Sequence, residues 1–232
     1  VIRAEGRAHP VETRWRDAPL GPGARREAAA ADAALEALGA IGGDVLVFLP
    51  GAAEIRRCAE RLAPALPPHV ALRTLHGAAP AASQRAALAP CAPGERKIVL
   101  STAVAETSLT VPGVRAVVDA GLARRARFDP GSGMTRLVTE RASRAEADQR
   151  RGRAGRVAPG LCLRLWTRGE EGGTPGFAPP EIATADLAPL ALDLAAWGVS
   201  DPETLPFLDA AAEAAFAEAR ALLGELGALD PA

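Results

Sequence analysis

Up to about residue 175, short apolar runs rich in Val, Ile and Leu alternate with longer stretches of helical periodicity. Nearly every position in each run is apolar, which is typical of strands buried on both faces of a parallel sheet. Such strands, separated by amphipathic helices, predict an α/β domain with a mostly parallel sheet and helices on both faces. The predicted strands are 44–51, 70–77, 96–102 and 114–121, and a leading helix is predicted at 23–40.

Two regions depart from this pattern. The segment 125–139 has two short extended runs around Asp-Pro-Gly-Ser-Gly, a composition that predicts a β-hairpin. Glycine and proline accumulate at 172–182, and the pattern after them is entirely helical. We therefore predict a domain boundary there, with an α/β domain at 1–175 and a helical region at 176–232.

Charge and cysteine usage narrow the possible functions. The formal net charge of -1 argues against a protein that holds nucleic acid through a general basic excess, so any such binding must be local. Cys58, Cys91 and Cys162 show no CxxC pairing and lie in apolar surroundings, which predicts reduced thiols in the cytoplasm. No metal site is predicted from the histidines and cysteines, and no apolar run reaches the roughly 18 residues that a membrane span needs.

The segment 149–156 reads QRRGRAGR and holds four arginines. Ser143 and Glu146 precede it at the spacing of a capping box, so the segment is predicted to be helical. Gly152 lies within it and should weaken a helix by roughly 0.5–1 kcal/mol. That cost suggests that another backbone or a ligand approaches at this glycine.

Three polar side chains of this segment share one predicted helical face. At about 100° per residue, Gln149, Arg153 and Arg156 fall within roughly 60° of one another, whereas Arg150 and Arg151 point elsewhere. Two fixed guanidinium groups suit phosphate oxygens, and an amide one turn earlier could orient water, as phosphoryl transfer requires. A solvated arginine face that binds water or acidic neighbours is the open alternative.

Four motifs in the same order resemble superfamily 2 helicases of the DEAH-box branch, and in particular its HrpB-like group. The segment 149–156 resembles motif VI, and 101–121 resembles motif V. The segment 46–55 is similar to motif IV, and 74–77 to the short motif that follows it. The predicted hairpin lies between motifs V and VI, where DEAH-box helicases carry one, either to separate strands or as a plain surface connection.

The resemblance implies roles for individual residues on the nucleotide side. Arg153 and Arg156 would be arginine fingers, and Gln149 would lie near the γ-phosphate and the attacking water. Ser108 would sense the nucleotide state, and Thr110 would lie near the ribose. On the nucleic-acid side, the backbone of single-stranded RNA would be contacted by Gly51, Gly77 and Thr102.

The family also implies a RecA-like fold for 1–175 and the start of a winged-helix domain for 176–232, which otherwise would be a plain helical extension. A helicase of this class closes ATP and Mg²⁺ between two RecA-like domains. The chain contains neither GxxxxGK[ST] nor a DEAH segment, so a first RecA-like domain is expected to hold them and this chain alone should be inactive. The resemblance therefore predicts the second motor domain of an ATP-dependent RNA helicase. A non-catalytic module that binds RNA or docks a partner, and a DNA motor of the same superfamily, are the alternatives.

Overall fold

The computed structural model describes residues 9–106, 109–129 and 131–229. These residues form two compact units. The first consists of the described residues of Val1–Ala123 and Thr139–Ala178, and the second of those of Arg124–Val138 and Pro179–Ala232. One of the predicted site residues, Ser108, lies outside the described residues.

The first unit is built on a six-stranded sheet in which every strand pair is parallel. Its strands are β1 (Val11–Trp15), β2 (Asp44–Phe48), β3 (Val70–Leu75), β4 (Arg96–Ser101), β5 (Val114–Asp119) and β8 (Gly160–Arg164). Their order across the sheet is β1-β8-β5-β2-β4-β3. The four predicted strands correspond to β2–β5, which are four neighbouring strands of this sheet.

Helices cover the sheet on both faces, which confirms the predicted fold class. The helices of this unit are α1 (Arg26–Ala40), α2 (Ala52–Leu62), α3 (Ala81–Leu88), α4 (Arg144–Gly152) and α5 (Arg168–Gly172). Alternate residues of each strand serve the two layers: Val45 and Val47 pack with α1 and α2, whereas Leu46 and Phe48 face Ala87 of α3 and Ala154 after α4. Both layers are apolar, as the near-continuous apolar runs require.

Strands β1 and β8 were not predicted from the sequence. All five residues of β8 are buried, and its apolar run is short enough to be confused with the end of a helix. Strand β1 alternates between half-buried and exposed positions because, among the described residues, it lies at the edge of the sheet and pairs with β8 alone. Its pairing with a strand about 150 residues later is a tertiary contact that no local pattern reports.

The predicted hairpin is present as a separate two-stranded sheet, formed by β6 (Leu122–Asp129) and β7 (Met134–Arg141). The carboxylate of Asp129 organises its turn by accepting hydrogen bonds from the Gly131 amide at 3.2 Å and the Ser132 hydroxyl at 2.8 Å. Gly133 has φ +62, a left-handed conformation that favours glycine. The sequence composition therefore identified the hairpin correctly.

The second unit has a small core of its own between α6 (Ala188–Ala196) and α7 (Glu213–Glu225). Leu194 of α6 and Phe216 and Leu223 of α7 are buried in it. No helix among the described residues is long and apolar enough to cross a bilayer.

Candidate functional site

Helix α4 begins with the capping box that the sequence predicts. The Ser143 hydroxyl accepts a hydrogen bond from the Glu146 amide at 3.3 Å, and the Glu146 carboxylate accepts one from the Ser143 amide at 2.6 Å. Two backbone donors that the first turn would leave unpaired are thereby satisfied. The cap fixes where the helix starts, and so sets which way each later arginine points.

The prediction of one α-helix through Arg156 is wrong in its last turn. The α-helix ends at Gly152, and Arg153–Gly155 form a tighter 3-10 turn. The Arg153 amide donates to the carbonyl of Arg150, which is the i to i−3 bond of a 3-10 turn. A glycine at the junction lowers the cost of leaving the α-helix, and the turn buries Ala154 completely.

The two glycines of the segment serve different purposes. A side chain at Gly152 would meet open space, so none of the described residues packs against this glycine. A side chain at Gly155 would come within 2.6 Å of the carbonyl oxygen of His9, which precedes the edge strand. Gly155 is therefore required for packing, whereas Gly152 leaves the surface beside the arginines open.

Despite the change of helix type, Arg153 and Arg156 converge on the same two-residue segment. The Arg153 guanidinium donates to the carbonyl oxygen of Leu109 at 3.2 Å, and the Arg156 guanidinium donates to the hydroxyl of Thr110 at 2.7 Å. Burial, and next the positive charge of Arg156, lower the pKa of Arg153. The two cations are thus close enough to repel each other.

No carboxylate among the described residues forms an ion pair with Arg153 or Arg156. Gln149 lies one turn before Arg153 and is exposed. Two neighbouring guanidinium groups without an acidic partner, with an exposed amide nearby, form an arrangement that an anion would stabilise. The structure therefore brings together Thr110 and the two arginines that the sequence singled out, and it places the exposed Gln149 one turn before Arg153.

The other predicted contacts lie at the carboxyl ends of three neighbouring strands. Gly51 follows β2, Gly77 follows β3 and Thr102 follows β4. Phe48 and Leu75, at the ends of β2 and β3, both align with Ser101 of β4, so the three strands end level. All three residues therefore lie on one edge of the sheet.

This edge also presents the amino ends of helices. Gly51 is the N-cap residue of α2, and Thr102 is the N-cap residue of the 3-10 turn Ala103–Ala105. Amino ends of helices expose unpaired amide donors and carry a partial positive charge. Gly77 is exposed and a side chain there would meet open space, so a backbone can approach it closely. Such an edge can bind phosphate groups without reading bases.

Sequence reasoning missed Arg150, which is almost fully buried. Its guanidinium forms ion pairs of 2.9 Å with both Glu106 and Asp119, donates to the Leu122 carbonyl at 3.1 Å and lies over the ring of Phe48. Burial alone would lower the pKa of Arg150, but the two carboxylates outweigh it and raise that pKa. The signal available in the sequence was the two acids, which stand in segments otherwise apolar and need a buried partner.

Among the described residues, no group of three or more His, Cys, Asp or Glu side chains is arranged to hold a metal ion. The polar groups that the site presents are guanidinium, amide and hydroxyl groups. These groups can bind and orient phosphate oxygens.

Comparison with known proteins identifies the relatives of this chain. Residues 29–158 match the family model of the helicase conserved C-terminal domain. The chain is 44% identical over 230 residues to the ATP-dependent RNA helicase HrpB of Escherichia coli, which covers 99% of this chain and 28% of that protein. It is also 37% identical over 230 residues to the ATP-dependent RNA helicase HrpA homolog of Haemophilus influenzae, covering 99% of this chain and 18% of that protein.

Solved structures agree with the sequence matches. The crystal structure of Escherichia coli DEAH/RHA helicase HrpB superposes with a TM-score of 0.91 at 44% identity, covering 97% of this chain and 29% of that chain. The chain thus spans less than a third of the length of these relatives.

Proposed function

The chain belongs to the helicase conserved C-terminal domain family, as a DEAH-box, HrpB-like member, and on this basis we propose that it is the second motor domain of an ATP-dependent RNA helicase. In this proposal Arg153 and Arg156 act as arginine fingers toward ATP held by a first RecA-like domain. Residues 1–175 form the motor domain, and 176–232 begin a winged-helix region. The observation that carries the proposal is the pair of convergent guanidinium groups without an acidic partner among the described residues.

The residues present fit the terminal phosphate of a nucleotide. Negative charge spreads over the γ-phosphate oxygens during phosphoryl transfer, and two guanidinium groups at this position would stabilise it. Arg156 would exchange its hydrogen bond with Thr110 for one with the phosphate, which frees the Thr110 hydroxyl for the ribose. Gln149 would orient the attacking water, and Ser108 would respond to the nucleotide state. Bound Mg²⁺ would be held mainly by residues of the first domain and would neutralise charge on the phosphates.

The carboxyl edge of the sheet would bind single-stranded RNA. Gly51, Gly77 and Thr102 would contact the sugar-phosphate backbone, supported by the helix amino ends at the same edge. Because such contacts read little sequence, we propose binding that is general for single strands. A cytoplasmic location is proposed for the whole protein because Cys58 and Cys162 are buried singly as free thiols, which suits a reducing compartment.

The finger assignment is tested in the longer helicase that contains this chain. Arg153→Ala and Arg156→Ala should each lower RNA-stimulated ATP turnover by a factor of about 10³ or more, because an arginine finger contributes about 10³–10⁵ to phosphoryl transfer. Nucleotide affinity, measured by fluorescent-nucleotide titration, should change little. Arg151→Ala is the matched control because its side chain pairs with Asp148 away from the other two.

Two results would decide against the proposal. Unchanged turnover in both finger variants would exclude the finger role. A parent protein that binds single-stranded RNA but hydrolyses no nucleotide under any condition would favour the non-catalytic module. Competition between single-stranded RNA and DNA for stimulation of the ATPase separates an RNA motor from a DNA motor.

A further inference from the structure

Arg150, Glu106 and Asp119 form a buried ion cluster. It joins the end of α4, which precedes the proposed fingers Arg153 and Arg156, to two other parts of the fold. Arg150 has a side-chain exposure of 1%, and its partners Glu106 and Asp119 are exposed by 9% and 0%. Asp119 ends β5, and Glu106 directly follows the 3-10 turn Ala103–Ala105. One guanidinium thus holds α4 against the end of the central sheet and against the segment that leads to Thr110.

Stability is a poor explanation for this cluster. Removing charges from water costs several kcal/mol per ion, and apolar residues of similar volume often replace buried ion pairs without loss of stability. One carboxylate oxygen of Asp119 also has no hydrogen-bond partner among the described residues, so the cluster is not fully satisfied. An ion cluster of this kind fixes the orientation of its side chains better than an apolar contact does. The reason is that a planar guanidinium group pairs with carboxylates in only a few geometries.

One backbone hydrogen bond joins Arg150 to Arg153, the first of the two proposed fingers. The carbonyl of Arg150 accepts the amide of Arg153, so the backbone position of the finger follows that of Arg150. Glu106 is also close enough to Arg153 for its negative charge to favour the charged guanidinium, although burial and Arg156 act more strongly in the opposite direction. Arg153 is therefore held through its backbone by Arg150, and its guanidinium lies within the field of the acid that Arg150 binds.

We propose that Arg150 is a positioning residue, which orients Arg153 toward the nucleotide through its ion pairs with Glu106 and Asp119. This inference rests on the proposed function of the two fingers. Arg150 itself contacts no nucleotide in this account. Glu106 connects it to the segment that follows Thr102, and Asp119 connects it to the end of β5.

Kinetics in the longer helicase test the inference with Arg150→Lys, which keeps the charge and loses the fork. The variant should lower kcat by about 10²-fold, because a displacement of about 1 Å in a positioned group can cost that much, while KM for ATP changes little. Arg151→Lys is the matched control, since the adjacent residue pairs with Asp148 and not with Glu106 or Asp119, and the same substitution there should leave kcat unchanged.

A double-variant cycle separates positioning from loss of folded protein. In an Arg153→Lys background, Arg150→Lys should lower kcat less than about threefold, because residues that act as a unit are strongly non-additive. If Arg150 served only stability, the factor would be the same in both backgrounds. A multiplicative result overturns the inference. An Arg153→Lys variant with normal turnover instead removes the proposed finger function.

A second readout needs no nucleotide. In the 232-residue chain, the side-chain Nε–H signal of Arg153, assigned with Arg153→Lys, should shift in Glu106→Gln and not in Arg151→Lys. Glu106→Gln leaves Arg150 in place and protects the test against a variant that fails to fold, which thermal unfolding checks. An Arg153 signal that is identical in wild type and in Glu106→Gln overturns the inference, whatever the kinetics of the fingers.

Discussion

Arg150 and Arg151 are adjacent and identical in chemistry, yet their side chains lie in different surroundings. Arg150 has a side-chain exposure of 1% and Arg151 of 42%. Arg150 is therefore part of the buried core, whereas Arg151 is only partly buried. The same criterion distinguishes the two proposed fingers, since Arg153 is mostly buried with its guanidinium directed at Leu109, and Arg156 is exposed beside Thr110.

Substitution of Gly77 by alanine adds one methyl group and tests whether nucleic acid contacts the carboxyl edge of the sheet. Gly77→Ala should leave the free energy of unfolding within about 0.5 kcal/mol of wild type, since the added atom meets open space. If RNA approaches this backbone, the methyl group should cost about one hydrogen bond, or roughly 1 kcal/mol, and raise the dissociation constant about fivefold.

Fluorescence anisotropy with a labelled single-stranded RNA oligonucleotide measures this change. Gly39→Ala is the matched control, because that glycine also faces open space but lies in α1, away from the carboxyl edge. Equal RNA affinities for Gly77→Ala and Gly39→Ala would remove Gly77 from the proposed contact surface.

At the scale of elements, the position of α4 depends on how the helix starts and how it stops. The capping box at Ser143 fixes its first turn, and the 3-10 turn after Gly152 redirects the chain toward β8. The cap was readable from the sequence because it depends on residues three apart. The change to a 3-10 turn depends on Ala154 and Gly155 fitting against the sheet, which local spacing does not report.

Loss of the α4 cap should destabilise the first unit. Ser143→Ala removes the acceptor for the Glu146 amide and should lower the free energy of unfolding by about 1 kcal/mol, measured by urea denaturation. Thr167→Ala removes an equivalent cap from α5, which has five residues and none buried, so its cost should be smaller. A larger loss in Thr167→Ala than in Ser143→Ala would contradict the view that α4 is the more tightly integrated helix.

At the scale of the whole chain, burial of the thiols links stability to pH. Burial raises the pKa of Cys58 and of Cys162 from 9.0 to about 12. Between these values the unfolded chain would lose the thiol protons that the folded chain retains. The contribution of these two thiols to the free energy of unfolding is therefore fully present below pH 9 and is lost as the pH rises toward 12.

Each buried thiol can contribute up to about 1.4 kcal/mol per pH unit to this loss. The chain has no tyrosine, so few other side chains titrate in the same range. Urea unfolding at pH 8 and pH 10 should show the first unit less stable at the higher pH. A double variant with alanine at both cysteines should have a flatter dependence, and an unchanged slope would mean that other groups cause it.

The sequence alone determined the fold class, the hairpin, the helix cap and the family. Each of these follows from short-range information: apolar runs report strands buried on both faces, turn residues report the hairpin, and motif order reports the family. Residue types also singled out Arg153, Arg156 and Gln149 as candidates for phosphate binding, because fixed charge and paired donors are properties of the side chains themselves.

Only the tertiary structure decided which arginine is an anchor and which residues share a surface. Arg150 meets Glu106 and Asp119 across 44 and 31 residues of sequence, and β1 pairs with β8 across most of the chain. The level ends of β2, β3 and β4 likewise depend on sheet register. These relations are set by the packing of distant segments around a common core, and a local pattern carries no information about which distant segment will be the neighbour.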